Sequence, residues 1–456
     1  MSEKDLIKTI DRLGGIEAAC ALSSGDTKKL HKEYLNAVVL QLMGYAKTDK
    51  CFVSARGVFI RDEAGHDYLD FFSGFGTLNL GHEAPEILEA LRRVDGRPNF
   101  FQGAINPFAA KLAEYLAAVT PGKLSKSFFC NSGTEAVEAA LKLARKATGR
   151  EVLLATEGAF HGKTFGALSV SGKDKYKVPF RPLVSGTELI PYNDLNALES
   201  RVARGDVAAF IVEPVQGEAG AIVPSSGYLK GAEAICRKYG TLFLVDEVQT
   251  GLGRTGRLFA CEEENVEPDV LILGKSLGGG VMPLGAIVTT PEIWKKAYGT
   301  LATGALHSST FGGNTRACAC GIAAIDTVIR KRLSENAAKM GAYLLSRLKE
   351  LAGRYSALSE VRGRGLMIGL SFTRFKGKTD WTEGALALWI ARQLVKKHRI
   401  ITIFTLNNFD VLRIAPPLTI GRSEVDCFLT AIEKVLKSVE IFRHFGFLEK
   451  GAIDGR

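Results

Sequence analysis

Four short runs, VLLA (152–155), AAFIVEPV (208–215), TLFLVDEV (241–248) and DVLILG (269–274), carry Val, Ile and Leu at consecutive as well as alternate positions. A strand with one face in water alternates apolar and polar side chains, whereas a strand covered on both faces is apolar throughout. With helical stretches between them, these runs predict an α/β chain: a largely parallel sheet with helices on each side. In an open sheet of that kind ligands sit outside the carboxyl ends of the strands. The polar residues at those ends are Glu213 after FIV, Asp246 after FLV, and Lys275 just beyond VLILG.

At roughly 150 residues per domain, 456 residues allow about three domains, or one large subunit with a satellite. A hydrophobic share of 46% suits a packed protein. No run approaches the roughly 18 apolar residues of a membrane span. The N-terminus, MSEKDLIKTIDRLGG, is charged from its third residue and lacks a signal-peptide core, so a cytoplasmic protein with no membrane partner is expected. The formal net charge of +10 comes from scattered residues, with one short run, Lys396-Lys397-His398-Arg399. Solvated helix faces account for it better than a nucleic-acid partner does. The eight cysteines form no CxxC pair and read as reduced core residues, without disulfide or metal.

Along the chain, residues 27–45 show helical spacing after a capping-type Asp26. VFIRD (58–62) and YLDFF (68–72) read as short strands. After about residue 330 a charged helical stretch, Arg330 to Leu351, leads into a second α+β region with VRGRGLMIGLSF (361–372) and DVLRIAPPL (410–418) as strands.

Lys275, beside Gly274 and ahead of Gly278-Gly279-Gly280, reads either as a loop cation or as a Schiff-base lysine activated by burial. Asp246 lies 29 residues earlier at another strand end, so both side chains can face one crevice. An amine and a carboxylate so placed match pyridoxal phosphate, which needs an aldehyde partner and a negative charge at its ring nitrogen. Asn131-Ser132-Gly133-Thr134-Glu135 precedes an amphipathic helix ending at Gly149. Small residues at a helix start can seat a phosphate; a capping box between Ser132 and Glu135 is the plainer alternative. Gly251-Leu252-Gly253-Arg254-Thr255-Gly256 fits a dinucleotide-binding pattern, but four residues separate it from Asp246 and no long helix follows. A nicotinamide-dependent dehydrogenase is therefore disfavoured.

NSGTEAVEAALKLAR (131–145), GAFHGKTFGALS (158–169), VEPVQGEAG (212–220), LFLVDEVQTGLGRTG (242–256), LGKSLGGGVMPLGA (273–286), HSSTFGGN (307–314) and RIAPPL (413–418) run in the order seen in the class III (subgroup II) pyridoxal-phosphate aminotransferases, and the chain resembles that family. The resemblance implies fold type I: a mostly parallel seven-stranded sheet in a large domain (81–330), an N-terminal segment (1–80) and a C-terminal small domain (331–456). It implies that Lys275 condenses with the cofactor and shuttles the proton, and that Asp246 pairs with the ring nitrogen. Gln249 would meet the 3′-oxygen side; Ser132, Gly133 and Thr134 the phosphate; Phe160, with His161 beside it, the ring. For Phe160 alone, core packing is the plainer reading. Thr310 would reach the phosphate of a neighbouring subunit, making a homodimer part of the site.

For the substrate, the resemblance makes Arg413 the carboxylate-binding arginine and Glu218 the residue that neutralises it when a terminal amine binds. A permanent structural ion pair is the alternative. Lys163 and Phe75 stand where ornithine aminotransferases carry arginine and tyrosine, which weakens recognition of a donor by its α-carboxylate. Segments such as FFCNSGTEAVEAALKLA and TLNN (405–408) are most similar to putrescine aminotransferases. The expected reaction moves the terminal amine of putrescine or cadaverine to 2-oxoglutarate. Ornithine, acetylornithine or another ω-amino acid is the second choice as donor; an aminomutase or a decarboxylase is a further reading.

Overall fold

In the computed structural model, residues 1–100, 104–374 and 383–445 are described, with side chains to Ile441. The strands are β1 (Phe52–Arg56), β2 (Phe59–Asp62), β3 (Asp67–Asp70), β4 (Lys126–Cys130), β5 (Val152–Thr156), β6 (Thr187–Ile190), β7 (Val207–Val212), β8 (Leu242–Asp246), β9 (Val270–Leu273) and β10 (Gly285–Thr289). The later strands are β11 (Leu358–Arg364), β12 (Met367–Phe372), β13 (Ile400–Ile401), β14 (Ile403–Phe404) and β15 (Val411–Ile414).

Seven strands form one sheet in the order β4-β10-β9-β8-β7-β5-β6. Only β10 runs against its neighbours; β9, β8, β7, β5 and β6 are mutually parallel. The consecutive apolar residues are explained by cover on both faces. Phe210, Phe243 and Leu271 pack with Leu112, Leu229 and Ile325 on one side. Their chain neighbours Ile211, Leu244 and Ile272 pack with Ala136, Val137 and Ala140 on the other. The expected α/β architecture with its seven-stranded, mostly parallel sheet is therefore present.

A second sheet, β1-β2-β3-β13, joins N-terminal strands to a C-terminal one through the parallel pair Leu69↔Ile400. Beside it, β11-β12-β15-β14 forms the third. Phe71 stacks on Phe428 at 4.3 Å within the core that these segments share. No helix among the described residues is long and apolar enough to cross a membrane.

Four expectations need correction. The stretch 27–45 is two helices, Ser24–Tyr34 and Ala37–Ala46; Asn36 breaks them because its Oδ1 accepts from Val38 and Val39 N–H and caps the second. The first helix is capped by Ser23, with Asp26 already inside it. VRGRGLMIGLSF is not one strand: β11 turns back into β12 at Gly365, where φ is +56°. The helix expected from Arg330 runs Leu333–Arg354, after a separate helix that ends at Arg330.

Candidate active site

The parallel strands β7, β8 and β9 end side by side, and so deliver Glu213, Asp246 and Lys275 to one edge. Asp246 is 4% exposed. Its Oδ1 accepts from Val248 N–H at 3.0 Å, and its Oδ2 lies 2.6 Å from His161 Nδ1. An ionised carboxylate only accepts, so the ring nitrogen donates. Burial alone would depress the His161 pKa, but the hydrogen bond to Asp246 and the nearby Glu213 charge leave it raised above the usual imidazole value. The His161 side chain lies wholly buried against Asp246, and among the described residues its Nε2 has no hydrogen-bond partner.

Glu213 accepts from Phe160 N–H at 2.9 Å and Gly217 N–H at 3.0 Å. Burial raises its pKa to about 7, and the nearby Asp246 charge adds to the rise. Lys275 is half-buried at φ +45°. Loss of hydration brings its pKa down to about 8; Arg413 also lowers it, while Glu218, Asp246 and Glu213 pull the other way.

The helix Gly133–Thr148 starts opposite this edge. Ser132 Oγ accepts from Glu135 N–H at 3.3 Å, while Glu135 reaches back to Asn131 N–H at 3.2 Å, one residue beyond an ordinary capping box. First-turn amides lack intrahelical acceptors, so those of Gly133 and Thr134 suit an anion. Thr134 Oγ1 meets Thr164 Oγ1 at 2.8 Å. Glycine at 133 is a matter of space: a Cβ there would lie 2.6 Å from Val248 Cγ1. At 274 a Cβ would meet Gly133 Cα at 3.0 Å. Helix start and Lys275 loop are thus packed backbone to backbone, with the Val248 side chain of the Asp246 turn against both.

Arg413, on the buried strand β15, places Nη2 2.5 Å from Glu218 Oε2, with both side chains 5% exposed. Burial would raise the Glu218 pKa, but the guanidinium outweighs it and holds the carboxyl low. Among the described residues Arg413 Nε and Nη1 have no acceptor, and Nη2 meets Glu218 as an ion pair without good hydrogen-bond geometry. Phe75 lies 5.4 Å from the guanidinium, and its carbonyl accepts from Gln249 Nε2 at 3.2 Å. Phe75, Gln249 and Arg413 line a common cavity. Lys163 Nζ sits 4.9 Å over the Tyr176 ring. Thr310 is on a loop anchored by Ser309, which bonds Asn131 and Glu135 of the same chain at 3.0 and 3.3 Å.

Sequence reasoning named Glu213 without a task and missed Tyr176. A glutamate one residue past an apolar strand was a usable signal. Tyr176, in a four-residue helix and in none of the motifs, offered none.

These groups fit pyridoxal phosphate: a lysine with a lowered pKa for the aldehyde, a buried carboxylate for the ring nitrogen, and a helix start for the phosphate. The family model described as "Aminotransferase class-III" matches residues 43–436. The chain is 39% identical over 459 residues to "Aminotransferase PigE" of Serratia sp. (strain ATCC 39006), covering 91% of this chain and 54% of that protein, so it spans about half the length of that curated relative. The crystal structure of ornithine aminotransferase from Toxoplasma gondii ME49 superposes with a TM-score of 0.84 at 31% identity, over 94% of this chain and 99% of that one. A thermostable (S)-enantioselective omega-transaminase from Thermomicrobium roseum gives 0.79 at 33% identity, over 86% and 93%. With the family model matched over most of its length, the chain belongs to the class-III aminotransferases, enzymes of fold type I that work with pyridoxal 5′-phosphate.

Proposed function

We propose that the protein moves the amino group of a donor with a primary terminal amine to a 2-oxo acid, with a diamine such as putrescine or cadaverine as donor and 2-oxoglutarate as acceptor. The observation that carries this reading is the buried Glu218–Arg413 pair, close enough for its charges to act on Lys275. While Glu218 neutralises Arg413, a donor without an α-carboxylate leaves no buried cation unpaired. An oxo acid would bring its own carboxylate to Arg413, with Glu218 turning aside. Both two-pronged edges of a guanidinium, Nη1/Nη2 and Nε/Nη2, use the Nη2 that Glu218 meets here, so a bidentate hold on that carboxylate requires Glu218 to move.

Pyridoxal phosphate, when bound, supplies the aldehyde for amine exchange and an acceptor for the charge left when a substrate proton departs. Lys275 Nζ holds the cofactor and, once displaced, takes and returns the proton at the substrate carbon; a pKa near 8 leaves a usable fraction neutral. Asp246 keeps the ring nitrogen protonated, and His161 orients that carboxylate from behind. Glu213 fixes the Phe160 backbone, and so the aromatic wall. Ser132, Gly133 and Thr134 would hold the phosphate, and Thr310 of a second copy would complete the seat in a homodimer. Gln249 would meet the 3′-oxygen side, while Phe75 and Lys163 would line the route of the donor.

Ornithine is the second reading, favoured by the likeness to ornithine aminotransferase. A donor panel with 2-oxoglutarate separates the two. Putrescine and cadaverine should exceed ornithine, N-acetylornithine and 4-aminobutyrate in kcat/KM by about tenfold or more. A lead for ornithine or N-acetylornithine of that size would overturn the diamine assignment.

A further inference from the structure

The turn between β14 and β15, residues 405–410, lies directly on the Glu218–Arg413 pair. Leu406 N–H donates to Glu218 Oε2 at 2.9 Å, the same oxygen that faces Arg413, and Asn407 N–H donates to the Glu218 carbonyl at 3.0 Å. Two side chains fix the turn in place. Tyr176 O–H donates to the Leu406 carbonyl at 2.8 Å, and Asn407 Nδ2 donates to the Gly158 carbonyl at 2.8 Å. Thr405 Oγ1, donating to the Asn408 carbonyl at 2.7 Å, closes the turn internally.

Resting on the gate reading given above, we propose that this turn is the latch that holds Glu218 on Arg413, and that Tyr176 and Asn407 are positioning residues for it. The Leu406 amide favours the paired state, because turning Glu218 away leaves that N–H without its acceptor. Whatever steadies Leu406 therefore favours the donor half-reaction, and whatever loosens it frees Arg413 for the acceptor. Tyr176 belongs to none of the sequence motifs, yet through its bond to the Leu406 carbonyl it sets the balance between two substrates of opposite charge.

Tyr176→Phe keeps the ring beneath Lys163 and removes only the hydroxyl. In the cofactor-loaded enzyme the KM for the diamine should rise about three- to tenfold and the KM for 2-oxoglutarate should fall by a similar factor, with kcat little changed. Calorimetric titration with glutarate, a dicarboxylate that cannot react, should show the same tightening. Asn407→Ser should act in the same direction. Equal losses in both half-reactions, or none in either, overturn the latch. Glu218→Gln distinguishes the layers. If it shifts the donor–acceptor balance while Tyr176→Phe does not, only the latch fails. If Glu218→Gln leaves the balance unchanged, the gate fails and the latch with it.

Discussion

Lys275 illustrates how much a single environment decides. An exposed lysine is almost wholly protonated near neutrality and is a poor nucleophile; here burial, with Arg413 adding to it, brings the pKa to about 8. The neutral fraction therefore grows about tenfold per pH unit below that point and saturates above it. Pyridoxal phosphate should add to the cofactor-free protein at a rate that climbs from about pH 6 and levels beyond about pH 8. Stopped-flow absorbance checks this, and a rate still climbing towards pH 10 would contradict it. Lys275, Asp246 and Ser132 were legible in the sequence because each sits at an end of a strand or helix, where local pattern reports position. His161 and Glu213 were less so. Their partners are 85 and 53 residues away, and a contact across that separation leaves no periodicity to read.

At the scale of elements, the doubly buried strands were legible for a physical reason: cover on both faces forces consecutive apolar residues, and little else in a soluble chain does. The helix break at Leu35-Asn36 was hidden because apolar residues continue at helical spacing across it and no Gly or Pro marks it; a side chain competing for two amides does the breaking. The β11–β12 turn was hidden because a tight reversal between two apolar runs looks like one longer run. That turn also meets another element closely. The helix Leu333–Arg354 passes so near that a Cβ at Gly341 would overlap the Gly365 carbonyl. Because backbone, not a flexible side chain, stands in the way, Gly341→Ala should cost roughly 1–3 kcal/mol. Calorimetric unfolding measures it; a variant as stable as the parent would mean that helix and turn can separate freely.

Across the whole molecule, one buried cation joins segments distant in sequence. Arg254, in the glycine-rich loop that mimics a dinucleotide site, donates to the Leu366 carbonyl at 3.1 Å, the Pro416 carbonyl at 2.5 Å and Asn79 Oδ1 at 2.5 Å. Burial lowers its pKa to about 9. It ties the β8–β9 connection to an N-terminal asparagine and to two C-terminal carbonyls beside Arg413. Arg254→Met keeps the bulk and strands those acceptors, so stability should fall by roughly 2–5 kcal/mol. The diamine reaction should fall with it through misplacement of β15. Unchanged thermal unfolding would remove the loop from the architecture. Above such supports stands the claim that one lysine at the end of β9 bonds covalently to vitamin B6 aldehyde. Incubation with pyridoxal 5′-phosphate, reduction with borohydride and peptide mass mapping test it directly. One pyridoxyl group should appear, on Lys275, and be absent from Lys275→Ala; no adduct, or one on another lysine, would overturn the assignment.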